Sequence, residues 1–192
     1  MFEENANPEA ASGLLARAHR ADASLYASIA ASSTPSLDGP LALISDAANL
    51  SKPWIASAAL LSLFGGQRGR RAALYGIASI TTASTIVNAV MKPLSRRRRP
   101  DRVAIGVIEE RHVSMPSSTS FPSGHSASAF AFAVGVGQVT PAAGAALLPA
   151  AALVSYSRVH TGVHFPGDVA AGILSGIVFA KLTSAVLDRR LA

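Results

Sequence analysis

Three short stretches carry most of the side chains in this sequence that can handle a proton or an anion. Lys92 is followed, after six residues, by Arg99-Pro100. Pro122-Ser123-Gly124-His125 comes next, then Ser157-Arg158, with His164 after five intervening residues and Asp168 after three more. Lys92, Arg99 and Arg158 can neutralise a phosphate group, and arginine adds paired donors that match its oxygens. Pro122 stands where a helix start tolerates it, so the amides of Ser123 and Gly124 are expected to point freely at an anion. Ser123 adds a hydroxyl, and Gly124 lets the backbone approach closely. Asp168 is expected in the first turn of a helix, where it can bond one ring nitrogen of His164 and leave the other as a lone pair aimed at phosphorus. His125 can then protonate the departing oxygen and afterwards activate water. The expected path is a phosphohistidine on His164 followed by hydrolysis, with inversion at each step and fixed cations lowering the barrier. It calls for no metal and no cofactor, and the sequence holds no carboxylate cluster suited to a divalent ion.

Each stretch lies beside the end of an apolar run, and the runs set the fold class. Ala72 to Met91 is 20 residues without a charge, about what a bilayer crossing requires. Ser126 to Ser157 is 32 uncharged residues, too many for one crossing, and Gln138, Thr140 and Pro141 offer a reversal that makes two. Val169 to Leu187 carries only Lys181, close enough to its end to snorkel. Gly39 to Gly66 is interrupted by Asp46, Lys52 and Pro53; it serves as a span if its first half is partly buried in protein and Pro53 kinks it. The expectation is an all-α integral membrane bundle of about five transmembrane helices, rich in the small residues that close packing in lipid requires.

The whole-chain figures agree. Of 192 residues 49% are hydrophobic and 15% charged, against about 25% charged in soluble domains; the mean hydropathy is +0.35. No cysteine is present, which excludes a disulfide framework and a thiolate metal site. Residues 1–38 form a polar N-terminal segment and residues 39–192 the membrane domain. Within the first, Leu14, Leu15, Ala18, Leu25, Tyr26 and Ile29 recur at helical spacing, so an amphipathic helix is expected over Ala11 to Ala31, either on the membrane surface or against the bundle. The acidic start lacks the early apolar stretch of a cleavable signal peptide. The net charge of +6 admits nucleic acid, an anionic membrane surface or a phosphorylated substrate as partner. Arg68, Arg70 and Arg71, with Arg189 and Arg190 at the end, orient those loops and the C-terminus to the cytoplasm. All three chemical stretches then fall on the outer face of the cell membrane. Their own cations, on the wrong side for that rule, are accounted for by an anionic substrate, and the Arg96 to Arg98 run is read as substrate-side charge.

In order and spacing the three stretches resemble the signature of the type 2 phosphatidic acid phosphatase family, the membrane lipid phosphate phosphatases. It is matched at Lys92, Arg99, Pro100, Pro122, Ser123, Gly124, His125, Ser157, Arg158, His164 and Asp168. The resemblance implies a nucleophilic His164 supported by Asp168, acid–base work by His125, and phosphate binding by Lys92, Arg99, Ser123, Gly124 and Arg158. It implies a lipid phosphate substrate met among membrane lipids, and no nucleic acid. Small bacterial polyprenyl-pyrophosphate phosphatases are similar in length and in their amphipathic start. Polyprenyl pyrophosphate, a polyprenyl-phosphoryl sugar phosphate, phosphatidylglycerol phosphate and phosphatidic acid all fit. Two other readings stay open: a scaffold that holds anionic headgroups without catalysis, and a haloperoxidase with vanadate in the phosphate position. Among the remaining residues His160 is expected to be structural, His112 and His19 solvated, and Glu109, Glu110 and Arg111 part of an exposed loop. Trp54 and Tyr156 are expected to anchor at the interface.

Overall fold

The computed structural model describes residues 8–191, and every regular element among them is helical: α1 Pro8–Ala30, α2 Pro35–Ala47, α3 Lys52–Phe64, α4 Gly66–Ile86, the single turn α5 Lys92–Ser95, α6 Gly124–Val139, α7 Pro141–His160 and α8 Pro166–Leu191. A π-helical segment, Val87–Met91, joins α4 to α5 without a break. Three of these helices are long and apolar enough to cross a membrane: the continuous Gly66–Ser95 unit, Pro141–His160 and Pro166–Leu191. Two shorter ones, α3 with 13 residues and α6 with 16, lie among them. α6 sits at the centre, packed on α4, α7 and α8. Its Ala127, Ala129, Ala131 and Phe132 are fully buried. Close approach to α8 depends on Gly172, where a Cβ would run into the Ser123 carbonyl at the start of α6. That contact sets the distance between the second and third chemical stretches.

The span expected over Gly39 to Gly66 is instead two helices. The chain breaks at Asn49–Ser51, where Leu50 and Ser51 take left-handed backbone angles (φ 56° and 57°). Pro53 lies in the first turn of α3, a position that suits its missing N–H, so it begins a helix and kinks none. Trp54 is buried, its ring 5.9 Å from that of Phe132 inside the core, and so it is no interface anchor. Tyr156 stays 41% exposed.

α1 packs on the bundle at the end that carries the chemistry. Tyr26 is fully buried and stacks edge-on against Phe165 at 5.4 Å. Leu14 and Leu15, part of the face expected for this helix, and the acidic start lie outside the described side chains. α2 begins at Pro35, so the boundary expected at residues 38 and 39 falls within a helix. Toward the opposite end the Tyr75 hydroxyl donates to Asp188 at 2.5 Å, joining α4 to the end of α8.

Candidate active site

Lys92, Gly124, Arg158 and Asp168 stand at one end of the bundle because each sits where its helix ends or begins there. Lys92 follows directly on the π-helical segment, an irregularity often found beside functional residues. The N-cap of α6 is Ser123, whose hydroxyl accepts from the Ser126 amide at 3.4 Å and its hydroxyl at 3.0 Å. Arg158 occupies the last turn of α7, where a cation suits the helix dipole, and Asp168 the first turn of α8, where an anion does. Gly162, at φ 69°, turns the chain between α7 and His164 with a backbone angle that favours glycine.

The imidazole of His164 is 1% exposed. Its Nδ1 faces Asp168 Oδ2 at 3.5 Å, an ion-pair distance too long for a good hydrogen bond, and its Nε2 lies 3.2 Å from Arg99 Nη1. Asp168 is fully buried, and both its oxygens accept hydrogen bonds. Oδ2 accepts from the Ser120 hydroxyl and from the Phe165 amide (2.9 Å), and Oδ1 from Arg97 Nη1 (2.8 Å). Burial, with Arg99 and Arg158 close by, holds the His164 imidazole down at about 4 although Asp168 pulls the other way, so it is neutral at physiological pH with a lone pair to offer.

Around His164 stand the three cations expected from the sequence. Arg99 is anchored to the Val163 carbonyl at 2.7 Å and to the Ser118 carbonyl at 2.9 Å. Lys92 donates to the Ser118 hydroxyl at 3.2 Å. Arg158 is 1% exposed; its Nη1 donates to the hydroxyl (2.5 Å) and carbonyl (3.1 Å) of Ser45, while its buried Nε has no partner. A buried guanidinium N–H left unpaired is costly unless something accepts from it. His125 is oriented by Asn49 Oδ1, 3.0 Å from its Nε2. A cavity of about 200 Å³ opens beside it, lined by Lys92, Gly124, His125, Asn88, Ser51 and Trp54 among others. Among the described residues no three histidine, aspartate or glutamate side chains are placed to hold a metal ion.

Several expectations change here. The Ser123 amide is not free: it donates to the Asp168 carbonyl at 2.9 Å and ties α6 to α8. Arg97, assigned to the substrate side, bonds Asp168 and Asp22. Arg111 is 2% exposed, paired with Asp38 at 2.8 Å, where an exposed loop was expected. His160, by contrast, is structural as expected, its Nε2 2.8 Å from the same Asp38 oxygen. Ser157 bonds the carbonyl of Val154 within its own helix. The residues that sequence reasoning passed over are Asn49, Ser45, Ser118 and Ser120. No spacing rule reaches them, because each meets its partner from a distant part of the chain.

Residues 73–192 match the model of a family described as the PAP2 superfamily. Decaprenylphosphoryl-5-phosphoribose phosphatase of Mycobacterium tuberculosis is 38% identical over 129 residues, covering 67% of this chain and 68% of that protein. Lipid A 1-phosphatase of Rhizobium johnstonii is 39% identical over 70 residues, 36% of this chain and 29% of that one. The crystal structure of Aquifex aeolicus LpxE superposes with a TM-score of 0.65 at 26% identity, covering 84% of this chain and 93% of that one. The transmembrane PAP2-type phosphatidylglycerolphosphate phosphatase of Bacillus subtilis superposes with a TM-score of 0.67 at 24% identity, covering 90% and 87%.

Proposed function

Because this chain belongs to the PAP2 superfamily and is a membrane lipid phosphatase, we propose that His164 is its nucleophile and that its substrate is a polyprenyl-phosphoryl sugar phosphate. The observation that carries the assignment is the buried imidazole of His164, with one ring nitrogen 3.5 Å from Asp168 and the other 3.2 Å from Arg99. On binding, the phosphate takes the place of the imidazole as the partner of Arg99, and Lys92 and the unpaired Nε of Arg158 close on its oxygens. Nε2 of His164 attacks phosphorus and forms the P–N bond as the P–O bond to the substrate breaks. With its Nε2–H directed at Asn49 Oδ1, His125 takes up a proton at Nδ1 as the negative charge of the phosphate enters beside it, and gives that proton to the departing oxygen. Asp168 stabilises the cationic phosphoimidazole. Water then loses a proton to His125, its oxygen attacks phosphorus, the P–N bond breaks, and inorganic phosphate leaves.

A cavity of about 200 Å³ lined by Lys92, Gly124 and His125, though not by His164, Arg99 or Arg158, has room for a phosphate group; in this reading the tail stays outside, among the helices. Arg68, Arg70, Arg71, Arg189 and Arg190 gather at the opposite end of the bundle, which supports an outward-facing site with the C-terminus in the cytoplasm. The polyprenyl class is favoured because the relatives with that substrate in their name match about two thirds of both chains. The test is phosphate release in detergent, with chelator, from a polyprenyl-phosphoryl pentose phosphate, phosphatidylglycerol phosphate and phosphatidic acid. The highest kcat/KM is expected on the first. A preference for a glycerolipid overturns the substrate assignment, and turnover abolished by chelator overturns the metal-free path.

A further inference from the structure

We propose that Arg97 and Asp22 are positioning residues for the reaction: Arg97 takes one oxygen of Asp168 and so aims the other at His164, and Asp22, reaching in from α1, holds Arg97 in place. The proposal rests on the assignment of His164 as nucleophile. It concerns a residue that the spacing of the chemical stretches does not mark and another that lies upstream of the part of the chain carrying the family match.

Arg97 Nη1 donates to Asp168 Oδ1 at 2.8 Å, and Nη2 to Asp22 Oδ2 at 2.6 Å, so one guanidinium fork bridges two carboxylates. The other oxygen of Asp22 accepts the amide of Gly167 at 2.7 Å, in the residue before Asp168. The Arg97 guanidinium also lies over the Phe165 ring, 4.4 Å from its centre, and Tyr26 of α1 packs on the same ring. Its backbone is fixed as well, since the Ser120 amide donates to the Arg97 carbonyl at 2.9 Å. The Arg97 side chain is 21% exposed, that of Asp22 13% and that of Asp168 not at all. An arginine in this setting is rigid, because its planar fork is matched at both ends.

Two effects on the chemistry follow. Rotation of the Asp168 carboxyl is blocked, since Oδ1 is committed to Arg97 while Oδ2 faces Nδ1 of His164. A carboxylate shared with a cation also stabilises a positive imidazole less strongly, and Asp22 offsets part of that cation. The other charged groups around His164 are Arg99 from the loop, Lys92 from α5, Arg158 from α7 and His125 from α6, with Asp46 of α2 beside Arg158. No hydrogen bond or ion pair joins any of them to Arg97, whose polar side-chain partners are Asp168 and Asp22, so the link from Arg97 to His164 by direct contacts runs through Asp168.

The two residues therefore act on the protonation of His164 with opposite signs, which a purely structural role does not produce. In Arg97→Gln the acid limb of kcat/KM is expected to move up, and in Asp22→Asn down, each by about half a pH unit. Arg97→Lys, which keeps the charge and reaches one carboxylate at a time, is expected between Arg97→Gln and the parent. For Arg97→Gln kcat is expected to fall about tenfold or more with KM near the parent value. Acid limbs unmoved in both variants, or moved in the same direction, overturn the proposal. So does a rise in KM at constant kcat in Arg97→Gln, which would mark a direct contact with substrate. Should Arg97→Gln fail to fold, Asp22→Asn and Arg97→Lys decide by the same limbs. His164→Ala run alongside separates the two levels: turnover retained there refutes the nucleophile itself, whereas a dead His164→Ala with unmoved limbs refutes only the positioning role.

Discussion

Two buried aspartate–histidine–arginine clusters lie side by side at the same end of the bundle, and only one has a histidine nitrogen facing a further cation. In the first, Asp168 meets His164 and Arg97; in the second, Asp38 meets His160 and Arg111. The two histidines are four residues apart along the chain, at and just beyond the end of α7, and each is 1% exposed. The second cluster turns every polar contact inward. Asp38 Oδ1 accepts from Thr34 (2.8 Å), Arg111 (2.8 Å) and His160 (2.8 Å), while the remaining nitrogens of Arg111 bond Thr34 and the carbonyls of Ile29, Ala30 and Ser32. It ties the connection between α1 and α2 to the long loop and to α7. The first cluster leaves Nε2 of its histidine facing Arg99, with Arg158 and Lys92 among the cations at the same end of the bundle. Burial and a carboxylate partner are common to both. What separates a catalytic imidazole from a structural one is a second nitrogen turned toward a place an anion can occupy.

The sharpest division is expected from parallel substitutions. His164→Ala should lower kcat by a factor of about a thousand or more, as loss of a nucleophile does, with the folded protein intact by its melting temperature in detergent. It should also abolish the acid-labile phosphoenzyme trapped from labelled substrate. His160→Ala should do the reverse, leaving the phosphoenzyme and costing about 1–3 kcal/mol of stability through a cavity and a carboxylate with one donor fewer. Comparable turnover losses in the two would erase the distinction.

Arg111→Ala strands Asp38 without its ionic partner, and breaking a buried pair in this way costs about 3–5 kcal/mol. A large drop in melting temperature is expected, with near-parental kcat per folded molecule at low temperature; an unchanged melting temperature would show that the second cluster holds nothing. Asn49→Ala should lower kcat about tenfold by releasing His125, with little change in KM. Asn49→Asp, which keeps the acceptor, should restore part of it.

The smallest effect is in pH dependence. With the His164 imidazole held at about 4, the free enzyme keeps its nucleophile unprotonated between that value and the ordinary histidine value of about 6.5. Because protonation removes the lone pair, activity is lost as pH falls, and the acid limb of kcat/KM should lie below 6.5 once the ionisation of the substrate near pH 6 is divided out. A limb at or above 6.5 would place His164 in a more solvated setting than this one.

The residues proposed to react could be singled out in the sequence because such chemistry requires particular types at short, fixed spacings: His164 and Asp168 are four residues apart, and Pro122 to His125 announce a helix start. The apolar runs placed them at span ends by length alone. The supporting contacts were not legible, since Asp38 meets Arg111 across 73 residues and His160 across 122, and Asn49 meets His125 across 76. A basic run such as Arg96 to Arg99 also hides its division of labour. Arg97 and Arg99, two residues apart, turn to Asp168 and to His164 respectively, and only the fold determines which goes where. Trp54 misled because an aromatic near a span end looks the same whether it faces lipid or a neighbouring helix.

The shortness of the central helix has a consequence for how activity depends on the membrane. At 16 residues α6 is roughly 24 Å long, against about 30 Å of hydrocarbon in a typical bilayer, and its far end is tied to Arg68 through the Val139 carbonyl. A helix of that length cannot place both its ends at the headgroup planes of such a bilayer at once. Activity is accordingly expected to depend on bilayer thickness, which phosphate release in vesicles of different acyl-chain length measures.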